Sequence, residues 1–124
     1  MESHTPKGGM EDLSRDLEEA ISKCNYIRAE RLARHLNRPE AEIKDLQEKA
    51  FRQYVLEYRN PQGAATLVKE FNFSSEDVSR VLRAILQETH EEGPNAKSKT
   101  TARFDVEAMG YLGLEEWVKK YFNV

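Results

Sequence analysis

The sequence predicts an all-α protein, a small helical bundle of five to seven helices. Three observations predict it. Apolar side chains recur at three- and four-residue spacing through most of the 124 residues, the period of an amphipathic helix. The four prolines and six glycines fall mainly between those periodic stretches, where helices start and stop. A shared order of Asn and apolar positions also returns after 35 residues, from Asn25 to Asn60.

Residues 1–10 are polar, contain Pro6, Gly8 and Gly9, and read as a disordered tail. A helix is expected from Glu11 to about Lys23, on the stripe Leu13, Leu17, Ala20 and Ile21. Acids crowd its first half, which suits the positive end of a helix dipole. Asn25 can cap a second helix, Tyr26 to about Leu36, that buries Ala29, Leu32, Ala33 and Leu36. Asn37 suits the left-handed conformation that ends a helix, and Pro39 suits the first turn of the next. That third helix extends to about Tyr58 on Ile43, Leu46, Ala50, Tyr54, Val55 and Tyr58, with Phe51 widening the stripe.

Asn60 and Pro61 open a fourth helix that presents Ala64, Leu67, Val68 and Phe71, and Asn72 ends it. The fifth helix has the clearest start. Ser74 is its N-cap, Asp77 stands three residues on as in a capping box, and Phe73 and Val78 hold the hydrophobic-staple positions. Val78, Val81, Leu82, Ile85 and Leu86 form its apolar face. Residues 91–103 carry no large apolar side chain and read as a flexible linker. Phe104 to Leu112 reads as a short irregular helix, and Leu114 to Phe122 as a final one. Five of the eleven aromatics lie in the last 21 residues, so this segment must dock on the core or on a partner.

Composition narrows the function. A net charge of −3 argues against a generally basic, nucleic-acid-coating surface, though not against a local basic patch. No run reaches the length of about 18 apolar residues that a membrane helix needs, and the N-terminus has no apolar signal core. No membrane partner is indicated, and a cytoplasmic location is the simplest expectation. Cys24 is the single cysteine, which rules out an intramolecular disulfide and a multi-cysteine zinc site.

Shifted by 35 residues, Asn25 falls on Asn60, Ala29 on Ala64, Leu32 on Leu67 and Asn37 on Asn72. Ala33 meets Val68, Leu36 meets Phe71, Ile43 meets Val78 and Leu46 meets Val81. Two units result, 25–58 and 60–90. Each resembles the helix-turn-helix motif of DNA-binding proteins over roughly 20 residues, in which two helices are joined by a tight turn. In the second unit Leu67, Val68, Phe71, Asn72, Phe73, Val78 and Val81 hold the buried and turn positions of that motif. In the first they are Leu32, Ala33, Leu36, Asn37, Arg38, Ile43 and Leu46. The usual turn glycine is Asn in both, Arg38 replaces an apolar turn residue, and Val68 stands where a small residue is usual. The period also resembles that of tetratricopeptide repeats, but only two units are visible where about three are needed.

The resemblance implies a small DNA-binding or transcription-regulatory protein. Its recognition helix would contact nucleic acid through Ser74, Ser75, Ser79, Arg80 and Arg83, with donors for base edges and cations for phosphates. Glu76 and Asp77 oppose that use at the same helix end. Arg28 and Arg31, in a series with Arg34 and Arg38, are further phosphate candidates, although Glu30 and Arg34 also form an ordinary i, i+4 pair. In the first unit Pro39, Glu40, Ala41, Lys44, Asp45 and Glu48 would face DNA, and three of these six are acids. The other open reading is a protein–protein interaction adaptor on the same scaffold without DNA contacts. Trp117, Tyr121 and Phe122 either close the core or bind a partner, including a second protomer in a homo-oligomer. His4, His35 and His90 stand far apart, no carboxylate sits alone in an apolar run, and no glycine-rich phosphate loop occurs. The expectation is a non-catalytic binding module with no metal, no cofactor and no small-molecule substrate.

Overall fold

The computed structural model describes residues 6–92 and 102–123. It is a small all-α bundle with one minor hairpin. In chain order the elements are α1 (Pro6–Ser22), α2 (Tyr26–His35), α3 (Glu40–Leu56), α4 (Pro61–Glu70), α5 (Ser75–Glu92), β1 (Arg103–Asp105), β2 (Gly110–Leu112) and α6 (Leu114–Phe122). The first helix starts at Pro6, ahead of the expected Glu11. The remainder of the expected tail, 1–5, and most of the expected linker, 93–101, lie outside the described residues. No helix among the described residues is long and apolar enough to cross a membrane.

The helix ends repeat with the sequence. Asn25 Oδ1 accepts from the N–H of Arg28 at 3.5 Å, and Asn60 Oδ1 accepts from the N–H of Gly63 at 2.9 Å. Each satisfies a backbone donor that a helix start leaves without an internal partner. At the other end Asn37 and Asn72 take φ of 55° and 60°. The N–H of Arg38 then reaches the carbonyl of Ala33, and that of Phe73 the carbonyl of Val68, each at 3.0 Å. This is the Schellman closure of a helix C-terminus. Cys24 and Arg59, again 35 positions apart, take φ of 57° and 48° and turn the chain into the two Asn caps. The 35-residue period is therefore a period of backbone conformation.

The chain forms two compact units, Met1–Ala50 and Phe51–Val124, and the division falls within α3. In the first, Leu17, Ala20, Ala29, Ala33 and Leu46 form the core, with Ile21, Tyr26, Leu32, Leu36 and Ile43 packed against it. Small residues at Ala29 and Ala33 let helices approach closely. Glu30 is buried beside them, at 1% exposure. Its carboxylate is held by Arg34 Nε at 2.7 Å and by Gln47 Nε2 at 3.0 Å. Those two bonds offset the desolvation that makes an unpartnered buried carboxylate costly.

In the second unit the core comprises Phe51, Val55, Ala64, Leu67, Phe71, Phe73, Val81, Leu82, Ile85, Leu114, Trp117 and Val118. Its rings interlock. Phe51 meets Phe73 and Phe122 edge-on, each with centroids 5.9 Å apart, and Trp117 meets Phe122 at 5.9 Å. Edge-to-face contacts of this kind add about 0.5–1.5 kcal/mol each beyond area burial. Phe73, in the turn before α5, thus sits inside the core. Its counterpart Arg38 is exposed and pairs with Glu42 at 3.1 Å.

The segment 104–112 is a β-hairpin and not the expected irregular helix. Arg103 pairs with Leu112, Phe104 with Tyr111, and Asp105 with Gly110. Turn chemistry and one tertiary bond explain the difference. Asp105 Oδ2 accepts from the N–H of Ala108 at 2.8 Å, and Met109 turns the chain at φ 54°. Tyr121 of α6 donates its hydroxyl hydrogen bond to Asp105, with Oη–Oδ1 at 2.7 Å. Arg103 donates from Nη1 to the carbonyl of Glu57 at 2.6 Å, placing a cation at the negative end of α3.

Candidate functional site

The side chains proposed for nucleic-acid contact in the second unit lie along α5. Ser75, Glu76, Asp77, Ser79, Arg80 and Arg83 line one shallow concavity on its outward side. The order follows from the helix: positions 75, 79 and 83 stack at i, i+4 and i+8, opposite the buried Val81, Leu82 and Ile85. The cap draws on one of the candidate residues, Ser74, and on Asp77 beside them. Ser74 Oγ accepts from the N–H of Asp77 at 3.0 Å, and Asp77 Oδ2 accepts from the N–H of Ser74 at 3.1 Å. This is a reciprocal capping box. Ser74 is therefore a helix cap first.

Asp77 also lies 3.6 Å from Arg80 Nη2 through its other oxygen. Arg83 is exposed and forms no ion pair among the described residues. The concavity thus carries two carboxylates and two guanidiniums, and its formal charge is balanced. No basic stripe emerges along α5.

Arg28 and Arg31 belong to the first unit, where they border a small concavity with Asn25, Ile27 and Leu32. The arginine series of α2 is largely engaged in its own unit. Arg28 lies 3.8 Å from Asp16, Arg34 pairs with Glu30, and Arg38 with Glu42. Arg31 remains exposed. On α3 the equivalent of the α5 face is lined by Glu40, Ala41, Lys44, Asp45 and Glu48, an acid-rich surface.

The three aromatic partner candidates sit differently from one another. Trp117 is 3% exposed and offers a partner almost no surface. Phe122 is half-buried against Phe51 and Trp117. Tyr121 is half-buried, with its hydroxyl on Asp105. That bond holds the Asp105 carboxyl below its ordinary range and pushes the Tyr121 phenol up to about 12. Nearby, burial and then the charge of Arg103 pull the Arg59 guanidinium down to about 10. These aromatic and charged groups build the second unit.

Among the described residues, the large exposed apolar side chains are Tyr58 and, together on the hairpin, Phe104, Val106, Met109 and Tyr111. None of these four hairpin residues is among the contact residues expected from the sequence. The signal for them was period-two alternation, Phe104–Val106 and Met109–Tyr111, around a turn that Asp105 and Gly110 bracket.

Among the described residues no group of three or more His, Cys, Asp or Glu is placed to hold a metal. Cys24 is exposed and accepts a hydrogen bond from the Tyr26 hydroxyl at 3.6 Å. Comparison of the chain with protein families, with curated proteins and with solved structures finds no match.

Proposed function

We propose that this chain is a non-catalytic protein-interaction module on a helix-turn-helix-like scaffold, with the outward face of α5 as its contact surface. The observation that carries the reading is the charge balance of that face. Ser75, Glu76, Asp77, Ser79, Arg80 and Arg83 line the concavity, and their two acids at the start of the helix match the two bases that follow. Duplex DNA rewards an excess of cations, because each neutralised phosphate releases a counterion. A mixed face of hydroxyls, carboxylates and guanidiniums suits the polar surface of a protein better, where complementary pairs set specificity.

Arg83 favours a second reading, that the face binds DNA. It is exposed, has no ion pair among the described residues, and stands in line with Ser75 and Ser79 as donors toward base edges or phosphates. A salt titration separates the two. Random duplex DNA is offered to the full chain at low ionic strength and binding is followed by fluorescence anisotropy. The protein-interaction reading expects no saturable binding. Saturable binding that weakens steeply with salt, and that Arg83→Glu abolishes, would replace it with the DNA reading. For the first reading, capture of a partner from an extract of the source cell should be lost in Arg83→Glu and Ser79→Arg and retained in a variant of α3 such as Lys44→Ala.

A further inference from the structure

We propose that the β1–β2 hairpin is a homotypic contact, its apolar outer face packing against the same face of a second copy of this chain. The hairpin is anchored on one side only. Arg103 is fixed to the carbonyl of Glu57 at 2.6 Å and Asp105 to the Tyr121 hydroxyl at 2.7 Å. Alternation along the strands then turns Phe104 and Tyr111 outward as a cross-strand pair, with ring centroids 5.5 Å apart. They are 51% and 71% exposed, and Val106 and Met109 at the two ends of the turn are 75% and 76% exposed. A half-covered antiparallel sheet ordinarily shows polar side chains to water. This one shows four large apolar ones. Met109 is also apolar at a left-handed φ of 54°, where Asn or Gly is the easy choice.

Three features on the page select the occupant. The first is composition: residues 1–5, MESHT, 93–101, GPNAKSKTT, and 124 include only Met1 and Val124 as large apolar side chains, which is no apolar run to match four exposed residues. The second is charge. The hairpin and its flank carry Arg103, Asp105, Glu107 and Lys120, two of each sign, with Lys120 on Glu107 at 2.9 Å. A balanced rim lets a face meet its own copy without like-charge repulsion, and it gives a nucleic acid or a strongly charged peptide nothing to hold. The third is area. The patch is on the order of 400–500 Å², within the range of the largest apolar patch on a typical monomer, which is often functional. Two such faces joined about a two-fold axis bury roughly 800–1,000 Å², less than a standard specific interface and in the range of weak, transient ones. The dimer is therefore a weak one that dilution dissociates. It is independent of what α5 binds.

The test is sedimentation equilibrium of the full chain from low-micromolar to several hundred micromolar. The expected result is a mass that climbs from monomer toward dimer. The double variant Met109→Asn/Tyr111→Glu, which suits the turn conformation and removes the apolar face, should associate at least about tenfold more weakly. As a second measurement that leaves the patch largely intact, Val106→Cys in a Cys24→Ser background should cross-link into a dimer under mild oxidation, while Glu91→Cys in the same background should not. A chain that stays monomeric throughout overturns the proposal. So does a dimer that the double variant leaves unchanged, or equal cross-linking at both cysteine positions.

Discussion

Asn25 and Asn60 hold the same place in the two copies of the repeat, yet their removal is expected to cost different amounts. Each caps a ten-residue helix through its side-chain oxygen. Replacing an N-cap Asn by Ala removes that acceptor and costs about 0.5–2 kcal/mol, with about 1 typical. The Asn60 bond is 2.9 Å long, near the preferred distance for N–H···O, whereas that of Asn25 is 3.5 Å, at the outer limit. Asn60→Ala should therefore lose about 1–2 kcal/mol, and Asn25→Ala about 0.5 kcal/mol or less. A loss of 1 kcal/mol in a chain of 124 residues lowers the melting temperature by roughly 3–6 °C. Urea unfolding measures both. Trp117 is the single tryptophan and is buried in the unit that Asn60 caps, so its fluorescence reports that unit while far-ultraviolet circular dichroism reports all helices. The slope with urea should stay constant, because neither change alters the area exposed. If Asn25→Ala costs as much as Asn60→Ala, the link drawn from cap geometry to energy is refuted.

Two further outcomes follow from the second unit. Gly63→Ala would ordinarily stabilise a helix, but here the new methyl would meet Tyr54 ring carbons at 2.5 and 2.7 Å and Asn60 Nδ2 at 2.8 Å. It should destabilise by about 1–3 kcal/mol in urea unfolding, and a gain in stability would contradict the packing. The Asp105–Tyr121 bond sets a pH window. The depressed Asp105 carboxyl contributes above the ordinary carboxylate range and is lost as pH falls through its lowered value, whereas the raised Tyr121 phenol contributes below 10.0 and is lost as pH rises through about 12. In an alkaline absorbance titration one of the five tyrosines should ionise last, near 12, and Tyr121→Phe should remove that late step. Simultaneous ionisation of all five in the parent would refute the bond.

The helices were legible because their ends are written in local chemistry. Asn25, Asn60, Pro61, Ser74 and Asp77 each do at the backbone what their residue type does best, and no long-range information is required. The hairpin was hidden for the opposite reason. Phe104, Ala108, Tyr111 and Leu112 follow i, i+4, i+7 and i+8, so nine residues fit a helix as well as two three-residue strands. What decides is Tyr121 reaching Asp105 sixteen residues back, and the carbonyl of Glu57 holding Arg103. The burial of Glu30 was equally out of reach. Its pairing with Arg34 is visible in the spacing, but the same spacing describes solvated pairs such as Lys49 with Asp45. As for the α5 face, its residues could be named from the helical period, while the charge balance needed the capping box and the Arg80–Asp77 contact.

The two copies share a backbone and differ in side chains, and the differences separate scaffold from surface. Where Phe73 fills the core before α5, Arg38 faces water before α3 and pairs with Glu42. Where Ser74 and Asp77 close a capping box, the first copy has Pro39 and Glu42, so its helix start relies on the fixed proline backbone. Where Tyr54 lies over Gly63, the first copy has Glu19 and Arg28, both solvent-exposed. Two of these differences place a charged side chain where the second unit has an uncharged one, and the backbone is shared because the Asn turns and small buried alanines carry the geometry. The shared scaffold leaves the outward faces of α3 and α5 free to differ, and they do: one is acid-rich and the other balanced. A pair of duplicated DNA readers would be expected to keep cations on both. Neither face has an excess of them, and this argues more strongly for protein recognition than any single residue does.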